Sequence, residues 1–375
     1  MPSRNRRQLW NSFFNKPQEW SPSQGPGDEQ SPQEARWMVA SRQAMGTFFE
    51  IRLSAFTLMG LPLAERCFDL IDDLEMQMTI YRDDSQIARL NANYFNHPVA
   101  IEPRLYDLLK LARAIHHATD GAYDITTGAL SRAWGFVKGP KRVPSPEEFE
   151  SAMACTGMRH LIFDDEKRTI QATRPGIEIN LGSIGKGYAI DRVVDLIRRH
   201  PWPTSAMVHG GRSSLFALGH QSGTLFEPWR VALHNPVNPA SPLLELLISE
   251  QALGTSGGTF QSFVEGGQVY GHIIDPRTGI PPAGPLSVTV IAPTAAEADA
   301  LSTAFYLTGP QLAWKLIGPR TDIAAIFLRQ QSEETSSAEN GLEILVLNSS
   351  PRQVVSRLVP TIYLEPRQEF PANWR

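Results

Sequence analysis

The chain has little cysteine, no long apolar run and no strong excess of charge, and each shortage closes off a class of function. Two cysteines, Cys67 and Cys155, are too few for a disulfide framework or a cysteine metal cluster, and both read as buried packing residues. No apolar stretch approaches the ~20 residues that a membrane-spanning helix requires. A formal net charge of -4 argues against a general nucleic-acid binder. The N-terminus to Glu34 is polar, with Arg4, Arg6 and Arg7 near its start, and neither an apolar signal core nor a lipobox cysteine follows. The expected location is therefore the cytoplasm, provided Met1 is the true start. What remains is 42% hydrophobic and 20% charged over 375 residues, enough for one large domain or two.

Order is expected to begin near Trp37, after a polar, disordered tail over 1–36. Trp37 to Leu53 reads as strand, turn, strand around Met45-Gly46-Thr47. Helical spacing predicts helices over Leu63–Met78 and Leu105–His116, the second with Pro103 just ahead of it. Leu161–Ile179 reads as short strands, and a helix is predicted after a glycine-rich turn at 182–187. Strands are predicted at 206–209, 215–218, 229–233, 243–249 and 286–291, and a helix over 295–306. Ile323–Leu328 and Leu342–Leu347 read as a closing hairpin around the polar loop Gln330–Asn340. Helices and strands mix without regular alternation, which predicts an α+β domain over 37–330 with mainly antiparallel strands. Residues 331–375 then form the polar loop, a closing strand and a tail that wraps the surface. No internal repeat is visible.

Several polar constellations carry the chemistry. Tyr270–Pro281 holds His272, Asp275 and Arg277 just past the apparent strand end Ile273-Ile274. Such a histidine can act as a general base or steer an anion, or it can be a turn histidine without a task. In Asn180–Asp191, glycines at 182, 185 and 187 surround Lys186, ahead of a helix N-terminus. That arrangement suits phosphate, although it matches neither the Walker loop nor the dinucleotide fingerprint; the plainer reading is a tight strand-to-helix turn. Asp299 and Thr303 lie four apart on a predicted helix, so two oxygens share one face. They suit Mg²⁺, or else form a helix carboxylate and a back-bonded threonine. Asp120–Gly128 is a polar loop with an aromatic, while Gly254–Gly258 and His209-Gly210-Gly211 read as glycine-rich turns.

In this order the motifs resemble the FAD:protein FMN transferase family, the ApbE-type flavin transferases, from Met45 to about Gly309. The resemblance rests on Met45-Gly-Thr47, Tyr81–Ser85 followed by Leu90-Asn91, Gly121–Asp124, Gly185–Asp191, Gly210-Gly211, Thr255–Gly257, His272–Gly279, and Asp299 with Thr303. It implies an ApbE-like, T-fold-like domain that binds FAD with Mg²⁺, moves FMN to a Thr or Ser of an acceptor flavoprotein and releases AMP. It places Met45, Tyr81, Ala122, Tyr123, Asp124, Gly182, Tyr188 and Ile273 on FAD. The Gly185 carbonyl, Asp299 and Thr303 would hold the metal, and His272 would be the base for the acceptor hydroxyl. Two departures stand out: Asn180 replaces a usual Asp, and Gly258-Thr-Phe-Gln261 replaces a segment that usually carries Tyr and Arg. A Mg²⁺-dependent FAD pyrophosphatase and a non-catalytic flavin-binding protein are the alternatives.

Overall fold

Two residues with positive φ, Met45 (49°) and Gly46 (72°), turn the chain sharply in the computed structural model. They fold β1 (Trp37–Ala44) back onto β2 (Thr47–Ser54), pairing Ala44 with Thr47. Positive φ at both loop positions matches the twist of the strands that the turn joins. The structure describes residues 37–55, 57–221, 227–236, 238, 242–258, 261–330, 341–348, 361–364, 370–371 and 374. The expected tail over 1–36, most of the loop 330–340 and most of the C-terminal tail lie outside these residues.

Helix α1 (Gly60–Met78) buries Leu63, Cys67, Phe68, Ile71, Leu74 and Met78, one stripe at helical spacing. Helix α2 (Gln86–Asn93) starts at Ser85, whose hydroxyl accepts from the Ala88 N–H. After β3 (Val99–Ala100), α3 (Pro103–Ala118) opens with the expected proline, capped by the Glu102 side chain. Helices α4 (Gly128–Ala133) and α5 (Pro146–Ala154) follow, the latter with a Ser145–Glu148 capping box. The hairpin β4 (Leu161–Asp164) and β5 (Thr169–Ala172) pairs with β3 in a small sheet. Next come α6 (Gly185–Arg198), β6 (Ala206–Gly210), β7 (Ser214–Leu218), β8 (Trp229–His234), β9 (Pro242–Ile248) and β10 (Gln251–Ser256). The hairpin β11 (Ser262–Glu265) and β12 (Gln268–Gly271) leads to β13 (Ser287–Ala292), α7 (Ala295–Thr308) and α8 (Pro310–Ile317). Strands β14 (Ala324–Gln330), β15 (Leu342–Leu347) and β16 (Thr361–Leu364) finish the described chain.

Among the described residues nine strands form one sheet, ordered β1-β2-β6-β7-β10-β13-β14-β15-β16. Every pairing is antiparallel except β15 with β16. Alternate residues serve two cores. Ile51, Val208, Phe216, Ala252, Val290 and Phe327 pack with α1, α6 and α7 on one face. Met207, Ala217, Leu253, Ile291 and Ile326 meet Trp229, Leu244, Leu246 and Ile248 of the β8–β9 hairpin on the other. Burial on both faces explains why these strands read as apolar runs rather than as clean alternation. Helix α7 is buried almost all round, from Ala295 through Tyr306.

The α+β class with mainly antiparallel strands is therefore correct, and among the described residues the sheet does not close into a barrel. Several local expectations change. Gly254–Ser256 is no turn: it lies inside β10, in the middle of the sheet. Gly210 likewise ends β6 within the sheet. Glycines 185 and 187 belong to the first turn of α6 rather than to a loop before it. Ile273 and Ile274 follow the strand β12, which ends at Gly271. The C-terminal segment adds β16 as an edge strand. No helix of the described residues is long and apolar enough to cross a membrane.

Candidate active site

The site forms where the N-terminal turn of α6 meets the middle of α7. Ile184, the residue before α6, has no side chain able to cap the helix. Instead the Gly187 N–H donates to Asp299 Oδ2 on α7 at 2.8 Å. The Ser214 hydroxyl donates to Asp299 Oδ1 at 2.7 Å. Burial pushes the Asp299 carboxyl up, against the pull of the Lys186 ammonium, Ser214 and the Gly187 N–H. A carboxylate this buried is costly unless it meets positive charge.

Hydroxyls surround it. Ser302 and Thr303 both donate to the Asp299 carbonyl, at 2.9 Å and 3.2 Å. Ser256 Oγ on β10 lies 2.9 Å from Ser302 Oγ and 3.0 Å from Thr303 Oγ1. Asp299 and Thr303 thus share a face as expected, and Thr303 is also back-bonded to the Asp299 carbonyl, as the plainer reading of that pair expects. The donor set is one carboxylate plus neutral oxygens, with Gly185 on the same cavity wall. It fits a hard divalent cation such as Mg²⁺. Among the described residues no group of three His, Cys, Asp or Glu is placed to hold a metal ion, so any cation here would rest on Asp299 and neutral oxygens.

A cavity of about 910 Å³ opens beside this cluster, towards the upper end of the ~300–1,000 Å³ common for ligand pockets. Met45, Tyr81, Ala122, Tyr123, Asp124, Gly182, Gly185, His272, Ile273, Asp299 and Thr303 all line it. Tyr188 does not. It sits one turn further into α6, nearly buried in the main core, with Arg192 and the start of α3 as its charged neighbours. The geometry gives no support to a flavin contact there.

Asp124 lines the cavity, yet its carboxylate braces the loop. It accepts from the Thr126 N–H and hydroxyl at 2.7 Å and 2.5 Å and from the Met158 N–H at 3.0 Å. Tyr123 is buried, which raises its phenol, and its oxygen accepts from Ser183 Oγ at 3.2 Å. Asn180 Oδ1 accepts from the Gly182 N–H at 2.9 Å. This turn needs only a side-chain oxygen, which Asn supplies as well as Asp.

His272 stands at the foot of the β11–β12 hairpin, its backbone N–H donating to the Gln261 carbonyl at 2.9 Å. Its buried Nδ1 has no hydrogen-bond partner among the described residues. Burial pulls the imidazole below its usual 6.5, and Lys186 and Lys141 add to the effect. The ring is therefore neutral at pH 7 and free to take a proton. His209 is otherwise placed. Its Nε2 lies 3.2 Å from Glu50 Oε1 and its Nδ1 3.2 Å from the Gly211 carbonyl, and it is absent from the cavity wall. Asp275 and Arg277, of the same motif, hold each other in a two-point pair at 2.9 Å and 2.7 Å within their own turn.

Sequence reasoning missed Ser214, Ser256 and Ser302, and also Glu75, whose carboxylate accepts from the Met45 N–H at 2.8 Å. Only the neighbours of Ser256 and Ser302 in the quoted motifs hinted at them. The glycines explain the fit. A Cβ on Gly254 would lie 2.5 Å from the Asp299 nitrogen and 2.3 Å from the Ala298 carbonyl carbon. Gly254→Ala is expected to cost about 1–3 kcal/mol, as forced overpacking does. Urea denaturation checks this; an unchanged midpoint would show that α7 yields freely.

Residues 45–327 match the model of the ApbE family. The FAD:protein FMN transferase of Escherichia coli strain K12 is 31% identical over 303 residues, covering 78% of this chain and 85% of the relative. That of Salmonella typhimurium is 30% identical, covering 79% and 85%. Among solved structures, the ApbE protein of Thermotoga maritima superposes with a TM-score of 0.71 at 30% identity, over 78% of this chain and 94% of the other. The flavin transferase ApbE of Vibrio cholerae gives 0.72 at 27%, over 83% and 97%. With its family model, these relatives and this fold in agreement, the chain is a transferase and belongs to the ApbE family.

Proposed function

We propose that this transferase moves FMN from FAD onto a Thr or Ser hydroxyl of an acceptor flavoprotein in a Mg²⁺-dependent reaction that releases AMP. The observation that carries this reading is the meeting, on one cavity wall, of a neutral histidine with an oxygen cluster built on a buried carboxylate. Asp299, Thr303 and the Gly185 carbonyl would hold Mg²⁺, which would neutralise charge on the pyrophosphate. Lys186 stands close enough to depress the His272 imidazole and to pull on Asp299, so it brings further positive charge to the same place. Met45, Tyr81, Ala122, Tyr123, Gly182 and Ile273 form the wall against which the flavin nucleotide would rest. His272 takes the proton of the acceptor hydroxyl as its oxygen attacks the phosphorus. The bond to the AMP oxygen breaks, and FMN remains on the acceptor as a phosphoester. Positioning and charge neutralisation do most of the work in such a transfer.

Incubation with FAD, Mg²⁺ and a candidate acceptor, followed by intact-mass measurement, tests this. The expected result is an acceptor heavier by one FMN group, with AMP in solution. Free FMN and AMP with an unmodified acceptor would make the protein a pyrophosphatase. The protein is also expected to bind FAD more tightly than FMN or NAD, because the oxygen cluster and Lys186 suit a pyrophosphate carrying this flavin. Fluorescence titrations that are equal for FAD and FMN would sink that expectation.

A further inference from the structure

Behind the cavity, α6 and α7 cap each other. The Asp299 carboxylate of α7 takes the Gly187 N–H in the first turn of α6. In return Asp191, further along α6, accepts from the first two N–H groups of α7: Ala295 at 2.7 Å to Oδ1 and Ala296 at 2.9 Å to Oδ2. The residue before α7, Thr294, caps only the Glu297 N–H, at 3.2 Å. Asp191 therefore satisfies two helix-end donors that nothing local reaches. The positive end of the α7 dipole favours its charge there. Burial pushes its carboxyl up to about 7, and the two N–H bonds oppose that shift.

The junction has little slack. A Cβ on Gly187 would lie 2.1 Å from the Ala295 oxygen and 2.7 Å from the Ala296 nitrogen. The Ala295–Ala296 peptide is thus held between the Gly187 backbone and the Asp191 carboxylate. Asp299 lies four residues, about one turn, further along α7. Asp191 itself does not line the cavity.

We propose that Asp191 is a positioning residue, which fixes the N-terminal turn of α7 from behind and so holds the Asp299 carboxylate where a divalent cation can use it. This rests on the proposed metal reading. The role differs from general stability because it predicts a change in metal demand that excess metal reverses.

The test is titration of Mg²⁺ against FAD fluorescence quenching, alongside turnover and thermal melting, in wild type, Asp191→Asn and Asp191→Ala. Asp191→Asn keeps the shape and one acceptor but sets an amide N–H₂ against an N–H donor. It is expected to stay folded and to need about 10- to 100-fold more Mg²⁺ for half-saturation, the usual effect of losing a group that orients a ligand. Saturating Mg²⁺ should restore most of the turnover. Asp191→Ala should shift further; if it does not fold, Asp191→Asn carries the result. A folded Asp191→Asn with wild-type Mg²⁺ demand overturns the proposal, as does a loss of turnover that no Mg²⁺ concentration restores. A wild-type protein whose FAD quenching and turnover ignore Mg²⁺ overturns the metal reading and this inference with it.

Discussion

Replacing His272 with alanine is expected to slow FMN transfer by about 10²- to 10⁴-fold, the usual contribution of a positioned base, while leaving FAD affinity nearly intact. An acceptor hydroxyl is a poor nucleophile until its proton is taken. His272 lines the cavity with a buried Nδ1 that has no partner among the described residues. The competing His209 is bound to Glu50 and the Gly211 carbonyl outside the cavity wall. His209→Ala should therefore keep wild-type turnover. If His209→Ala loses turnover and His272→Ala keeps it, the assignment is wrong. The pH profile has a definite sign. The imidazole titrates below its usual 6.5, so its proton-accepting form dominates at neutral pH and above. Transfer should be flat on that side and fall as pH drops through the depressed value, below 6.5. In His272→Ala this acid limb should disappear. A rate that instead falls as pH rises through neutrality would point to a protonated histidine.

Asp299→Ala is expected to abolish transfer and to remove the Mg²⁺ dependence of FAD binding. Asp299 is the one carboxylate in the oxygen cluster, so the variant leaves only neutral donors for a hard cation. It also strips the Gly187 N–H and the Ser214 hydroxyl of this acceptor, leaving the buried Gly187 N–H unsatisfied. Thr303→Val removes a neutral oxygen and should be milder. Asp299→Asn separates the effects, since it retains an acceptor but not the charge. Turnover, EDTA sensitivity and melting temperature should be followed together. An Asp299→Ala protein that remains active and EDTA-sensitive would put the metal elsewhere.

The readable part of the site was local. Asp299 and Thr303 share a helical face because four residues make about one turn, and α7 realises that spacing. The Met45-Gly46 turn was visible because glycine accepts positive φ. Helices α1 and α3 were legible from their apolar stripes and from Pro103. The ordered motifs also sufficed for the family, since together they span most of residues 45–327.

What needed the fold was set by residues far apart in the chain. Gly254 reads as a turn residue, yet it sits in β10 because the α7 backbone comes too close for any side chain. Ser256 and Ser302 join the oxygen cluster across 46 positions, a contact no local pattern encodes. Tyr188 belongs to a site motif but packs into the core. His272 and His209 both adjoin glycine-bearing polar motifs, and only the fold puts His272 on the cavity wall while it ties His209 to Glu50 across the β2–β6 pairing and to the Gly211 carbonyl. Sequence by itself determined the longer helices, several of the strands and the chemistry on offer, because propensity, turn preference and helical spacing act over a few residues. Tertiary packing decided which of those groups face the cavity, because burial and long-range hydrogen bonds exist only once the sheet and helices have met.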